Sequence, residues 1–161
     1  MPVTLDGSCR CGAVRFSLKS HTPCPYQLCY CSICRKVGGG FSINIMGLHR
    51  TLRIQGEEHT AMFHAPITED GETHPGPAER HFCTRCGTML WVRDESWPEL
   101  VHPFASCIDS ALPEPPERVH LMLDFRPDWV PLAPGPNDQC FGRYPEQSIE
   151  DWHRTRGLWV E

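Results

Sequence analysis

The 161-residue sequence predicts a mainly β fold of short antiparallel strands, organised as a single domain over residues 1–161 and gathered around cysteine knuckles. Three observations predict it. Short runs alternate apolar and polar residues, as in Val14-Arg15-Phe16-Ser17-Leu18 and Phe41-Ser42-Ile43-Asn44-Ile45, and a two-residue period is that of a strand with one buried face. Cysteines recur as closely spaced pairs followed by glycine, at Cys9-Arg10-Cys11-Gly12 and Cys83-Thr84-Arg85-Cys86-Gly87. The 40% hydrophobic and 22% charged content is that of a folded, core-bearing chain.

In chain order, residues 3–18 read as a hairpin built on the first knuckle. Cysteines at i and i+2 of an extended segment point to the same side, and Gly12 permits a sharp turn beside them. Residues 20–28, with Pro23 and Pro25, are a short connection. Strands follow at 41–45, at 51–54 with a turn at Gln55-Gly56, and at 59–64. From Ala65 to Glu79 there are three prolines, two glycines and four acidic residues with almost no apolar residue. This composition predicts a long loop at 65–79, a flap or an insertion. Residues 80–88 form the second knuckle, and strands are expected at 89–93, 100–106 and 119–125. Residues 113–117, rich in proline, are irregular, and 131–137 is extended. Residues 147–154 fit one short helix, with Ser148 as N-cap and Glu150 and Asp151 in the first turn.

The cysteines carry the chemistry. Seven of the ten lie in C-x-C or C-x-x-C clusters, where neighbouring thiols share a metal more readily than they form strained disulfides. Cys9, Cys11, Cys83 and Cys86 supply four sulfurs, enough to close a tetrahedral zinc site joining segments about seventy residues apart; four thiolates also suit iron. Zinc affinity there would be part of the folding free energy. The middle run, Cys29-Tyr30-Cys31-Ser32-Ile33-Cys34, has three thiols. It reads either as a second structural zinc completed by Cys24, Cys107, Cys140 or a histidine, or as an open catalytic zinc site whose fourth position takes a thiolate or water. Three thiolate ligands favour holding sulfur. Arg35 and Lys36 next to it could attract a carboxylate, Gly39 lets a ligand approach the backbone, and Asp109 is a candidate general base. His81 and His153 are expected to pack or to orient ligands.

The formal charge of −5 argues against a general nucleic-acid binder. The first residues lack a basic region and an apolar core, so no secretory signal is read. No apolar run approaches the ~20 residues that span a membrane. A reducing, cytoplasmic setting is therefore expected.

With C-x-C-G, then C-x-C-x-x-C-R-K-x-x-G-G, then F-C-x-x-C-G-T in that order, the sequence resembles the family of glutathione-dependent formaldehyde-activating enzymes and centromere protein V, from about Gly7 to the 148–153 segment. The resemblance implies an Mss4-like, zinc-bearing β architecture. It implies a structural zinc on Cys9, Cys11, Cys83 and Cys86, and a catalytic zinc on Cys29, Cys31 and Cys34, two ions per chain. It also implies a carbon–sulfur lyase activity that joins glutathione to formaldehyde, with a small thiol and a small aldehyde as partners. The 65–79 segment looks longer than that family usually carries. Two other readings remain at this point: a non-catalytic zinc-binding interaction module, and a redox sensor using the exposed thiols.

Overall fold

In the computed structural model, which describes residues 1–161, two sheets share the chain. The larger has seven strands: β1 (Val3–Ser8), β2 (Arg15–Thr22), β5 (Met46–Gln55), β6 (Thr60–Glu69), β7 (Glu72–Cys83), β8 (Met89–Arg93) and β9 (Leu100–Pro103). Their spatial order is β1-β2-β5-β9-β8-β7-β6, with every neighbouring pair antiparallel. The smaller sheet orders β11 (Gln139–Cys140), β10 (Val119–Leu121), β3 (Gln27–Cys29) and β4 (Ser42–Ile43). There β10 runs parallel to both β3 and β11. Two short helices, α1 (Ser32–Gly38) and α2 (Ile149–Thr155), complete the fold. No helix is long and apolar enough to cross a membrane.

The alternation in β2 becomes its burial. Phe16, Leu18, Ser20 and Thr22 face inward, and Phe16 meets the edge of Trp91 at 5.2 Å between ring centroids. Phe16, Leu18 and Trp91 join Leu5, Ile45, Leu90, Val101 and Phe104 in the main core, and Cys9 and Cys83 are part of it. A second cluster packs Tyr26 and Trp152, stacked at 3.6 Å, against Val119 and Leu121, anchoring α2 to the small sheet. The expected helix has the expected cap: Ser148 Oγ accepts the Asp151 N–H at 3.0 Å.

The 65–79 segment corrects the expectation of a loop. It is the outer half of the long β6–β7 hairpin, in which Pro66 faces Pro75 and Glu69 faces Glu72 across a two-residue turn. Asp70 (φ 50°) and Gly71 (φ 81°) both have positive φ, as tight hairpin turns require. The prolines are tolerated because β6 is an edge strand, and β7 pairs with β8 only from Glu79 onward; a missing N–H breaks no ladder there. Other differences are smaller. Residues 51–54 lie inside the longer β5, and residues 20–28 contain the end of β2 and the start of β3. The strands expected at 100–106 and 119–125 stop early and give way to 3-10 turns at Ala105–Cys107 and Leu123–Phe125. Helix α1 was not expected.

Candidate metal centres and their pocket

The two outer knuckles meet at the junction of β1–β2 and β7–β8. Gly12 (φ 76°) and Gly87 (φ 74°) turn the chain behind each cysteine pair in the left-handed region, which glycine enters without steric cost. The Arg10 N–H donates to Thr88 Oγ1 at 3.0 Å and links the two turns. All four sulfurs lie within 4.8 Å of one another. Cys9 Sγ is 3.6 Å from Cys11 Sγ, which is 3.8 Å from Cys83 Sγ. These separations far exceed a disulfide bond, and all ten cysteines are free. Cys86 is lowered to about 5, first by the Thr88 hydroxyl, 3.2 Å from its sulfur. Cys9 is lowered too: burial raises it, but the Val14 N–H, 3.2 Å from its sulfur, and neighbouring thiols outweigh that.

The middle cluster sits where β3 hands over to α1. Cys29 ends the strand, Cys31 caps the helix by accepting the Cys34 N–H at 3.3 Å, and Cys34 lies buried in the first turn. Their three sulfurs also lie within 4.8 Å of one another, and no histidine, carboxylate or fourth cysteine joins them. Cys107 is elsewhere, its thiol donating to the Leu90 and Phe104 carbonyls. Cys24 belongs to the Trp152 cluster, and Cys140 is exposed. Cys31 is lowered to about 2, first by the Cys29 thiol and then by Cys34, whereas Cys29 is pushed up by Cys31, by Cys34 and by burial. Both clusters could hold a metal ion. The outer one offers four ligands and the middle one three.

The Tyr30 ring, between two of these thiols, braces the loop from behind. Its hydroxyl donates to His120 Nδ1 at 3.0 Å, and His120 Nε2–H donates to Asp138 Oδ2 at 2.9 Å. Tyr30 and His120 are buried. Burial would raise Asp138, but hydrogen bonds from His120 and from the Arg118 and Gly135 N–H groups hold it at about 2.

A cavity of about 360 Å³ opens on Cys29 and Cys34. Arg80, Trp97, His102 and Gln147 also line it. Burial lowers His102 to about 4, so its ring is neutral near pH 7. None of these four stood out in the sequence, where Arg80 fell at the start of the second knuckle and outside any expected strand. Arg35, Gly39 and Asp109 do not line this cavity. Arg35 and Lys36 occupy the last turn of α1, and Gly39 is its left-handed C-cap. Asp109 accepts the Ser8 hydroxyl at 2.6 Å and lines a larger cleft, about 740 Å³, between the first knuckle and the end of α1. His81 meets Glu79 at 3.2 Å. His153 accepts the Cys24 N–H at 3.2 Å and donates to the Ile149 carbonyl at 2.7 Å.

Residues 4–122, most of the chain, match the family described as glutathione-dependent formaldehyde-activating enzyme. The chain belongs to that family. It is 58% identical over 156 residues to a Halomonas elongata protein provisionally named as such an enzyme, covering 96% of this chain and 97% of the relative. A crystal structure of a Rhodobacter sphaeroides protein shares the fold, with TM-score 0.52 and 24% identity over 67% of this chain and 91% of the other.

Proposed function

We propose that the protein is a zinc-dependent carbon–sulfur lyase that joins a small aldehyde, formaldehyde or one like it, to a thiol such as glutathione. The observation that carries the proposal is the middle cluster: three convergent sulfurs, no fourth protein ligand, and an adjoining cavity. The sulfur separations fit a tetrahedral thiolate metal site such as zinc. Tetrahedral bonds of about 2.3 Å put sulfurs about 3.8 Å apart, against 3.6 and 3.8 Å in the outer cluster. In this reading Cys9, Cys11, Cys83 and Cys86 hold a structural ion, and Cys29, Cys31 and Cys34 hold the catalytic one. When bound at the middle cluster, zinc would keep a substrate thiol ionised near neutral pH and polarise a carbonyl oxygen.

The remaining work falls to the chain. The Cys34 N–H donates to the Cys31 sulfur and favours its thiolate form, the form that binds a metal. Tyr30 and His120 hold the Cys29–Cys31 loop in place. Val92, Trp97 and Leu121 line the cavity with apolar surface. In the net reaction the thiol sulfur bonds to the aldehyde carbon and the thiol proton ends on the aldehyde oxygen; nothing is oxidised. Ten unpaired cysteines suit a reducing compartment, the cytoplasm.

Exchange NMR on ¹³C-formaldehyde mixed with glutathione tests the proposal. Zinc-loaded wild type should accelerate adduct exchange above the protein-free rate, and Cys31→Ser should not. A fully loaded wild type that leaves exchange at the protein-free rate would overturn it.

A further inference from the structure

We propose that Arg80 is a specificity residue for the thiol: its guanidinium takes a carboxylate of the substrate, so that the pocket selects carboxylate-bearing thiols over neutral ones. The inference rests on reading the middle cluster as a thiol site.

Arg80 lies on β7 opposite Val92 of β8, and both side chains line the cavity shared with Cys29 and Cys34. Its Nε and Nη1 atoms are buried and have no hydrogen-bond partner. None of the ion pairs in the protein involves it. The carboxylate nearest in sequence, Glu79, projects from the opposite face of the strand, because successive residues alternate. There it meets His81 at 3.2 Å and Arg93 at 3.8 Å. The cavity lining contains no aspartate or glutamate at all. His102, the one other titratable nitrogen base in it, is neutral near pH 7 because burial lowers it to about 4.

The pocket therefore presents one positive side chain with no carboxylate partner, inside a chain of net charge −5. Buried donors left unpaired are costly, and a planar guanidinium fork matches a carboxylate in two parallel hydrogen bonds. The cavity of about 360 Å³ is far larger than a one-carbon aldehyde needs, so the volume serves the thiol partner. Its sulfur would face the cysteine cluster while its acid group reaches Arg80.

The test is calorimetric titration of zinc-loaded protein with two small probes, 3-mercaptopropionate and 2-mercaptoethanol, on wild type, Arg80→Met and Arg80→Gln. Zinc content and melting temperature are checked for each. Wild type should prefer the mercaptocarboxylate by about tenfold or more, the scale of a charged hydrogen-bonded pair. Both variants should lose that preference while binding 2-mercaptoethanol as before. A wild type without preference overturns the inference irrespective of whether a variant folds. So does a variant that keeps the preference. Equal weakening of both probes also overturns it, since Arg80 would then act on the sulfur or the metal. If neither thiol binds wild type, the thiol-site reading itself fails, and this inference falls with it.

Discussion

The two cysteine clusters offer the same ligand chemistry from differently built parts of the fold. The outer cluster draws its sulfurs from knuckles more than seventy residues apart in sequence, and two of the four, Cys9 and Cys83, belong to the main core. The middle cluster draws three sulfurs from six consecutive residues, braced from behind by Tyr30, His120 and Asp138 and open in front to a cavity. Four ligands from distant segments make a crosslink. Three ligands from one local turn make a site that can be filled or emptied with less effect on the rest of the chain. In the proposed reading, ligand count and sequence separation together, more than ligand type, divide a structural site from a reactive one.

The largest effect should come from the outer cluster. Cys83→Ser should lose the crosslinking ion and, with it, the fold. Structural zinc contributes on the order of 10 kcal/mol in small domains, comparable to the whole stability of a domain this size. Circular dichroism should show an unfolded or aggregating protein. A variant that melts like wild type would break the distinction between the clusters.

Next comes the brace. His120→Ala leaves the buried Tyr30 hydroxyl without its partner and removes one of the three hydrogen bonds on the Asp138 carboxylate, which keeps those from the Arg118 and Gly135 N–H groups. Unpaired buried groups cost roughly 1–3 kcal/mol each. Loss of a group that orients ligands typically weakens metal binding about 10–100-fold. Competition with a chelator should show weaker binding at the middle cluster and unchanged binding at the outer one.

A smaller, pH-dependent effect belongs to His102. Its folded value of about 4 lies below its ordinary value of 6.5, so the unfolded chain takes up the proton first as pH falls. The neutral ring's contribution is complete above about pH 6.5 and is lost as pH falls toward 4, up to about 3 kcal/mol. Melting temperatures between pH 7 and 4.5 should fall more steeply for wild type than for His102→Gln, and the difference between the two slopes removes the thiols' common contribution.

The smallest effect is at the hairpin tip. Gly71→Ala forces a side chain into φ 81° and should cost about 1 kcal/mol, with both metal sites unchanged by chelator competition.

What could be read from the sequence was local. The knuckles, their turning glycines, the alternation of β2 and the Ser148 cap are each specified within a few residues, and each is present. The β6–β7 hairpin was hidden because its prolines argue against strands unless the edge position is known, although Asp70-Gly71 carried a turn signal. Helix α1, at seven residues, is too short to show a helical period. The pocket was the least legible part. Arg80, His102 and Trp97 come from different segments of the large-sheet half of the chain, and only strand register brings them beside Cys29 and Cys34. Arg35 and Gly39 were singled out because they follow the cysteines in sequence, but the helix carries them to its far end.

The most direct measurement is the metal content of the intact protein by native mass spectrometry, for wild type and Cys31→Ser purified under reducing conditions. The account predicts two zinc ions in wild type, one for each cluster, and one in a Cys31→Ser protein that keeps its fold. A single ion in wild type, or a Cys31→Ser protein that unfolds, would contradict the separation of a closed structural site from an open reactive one.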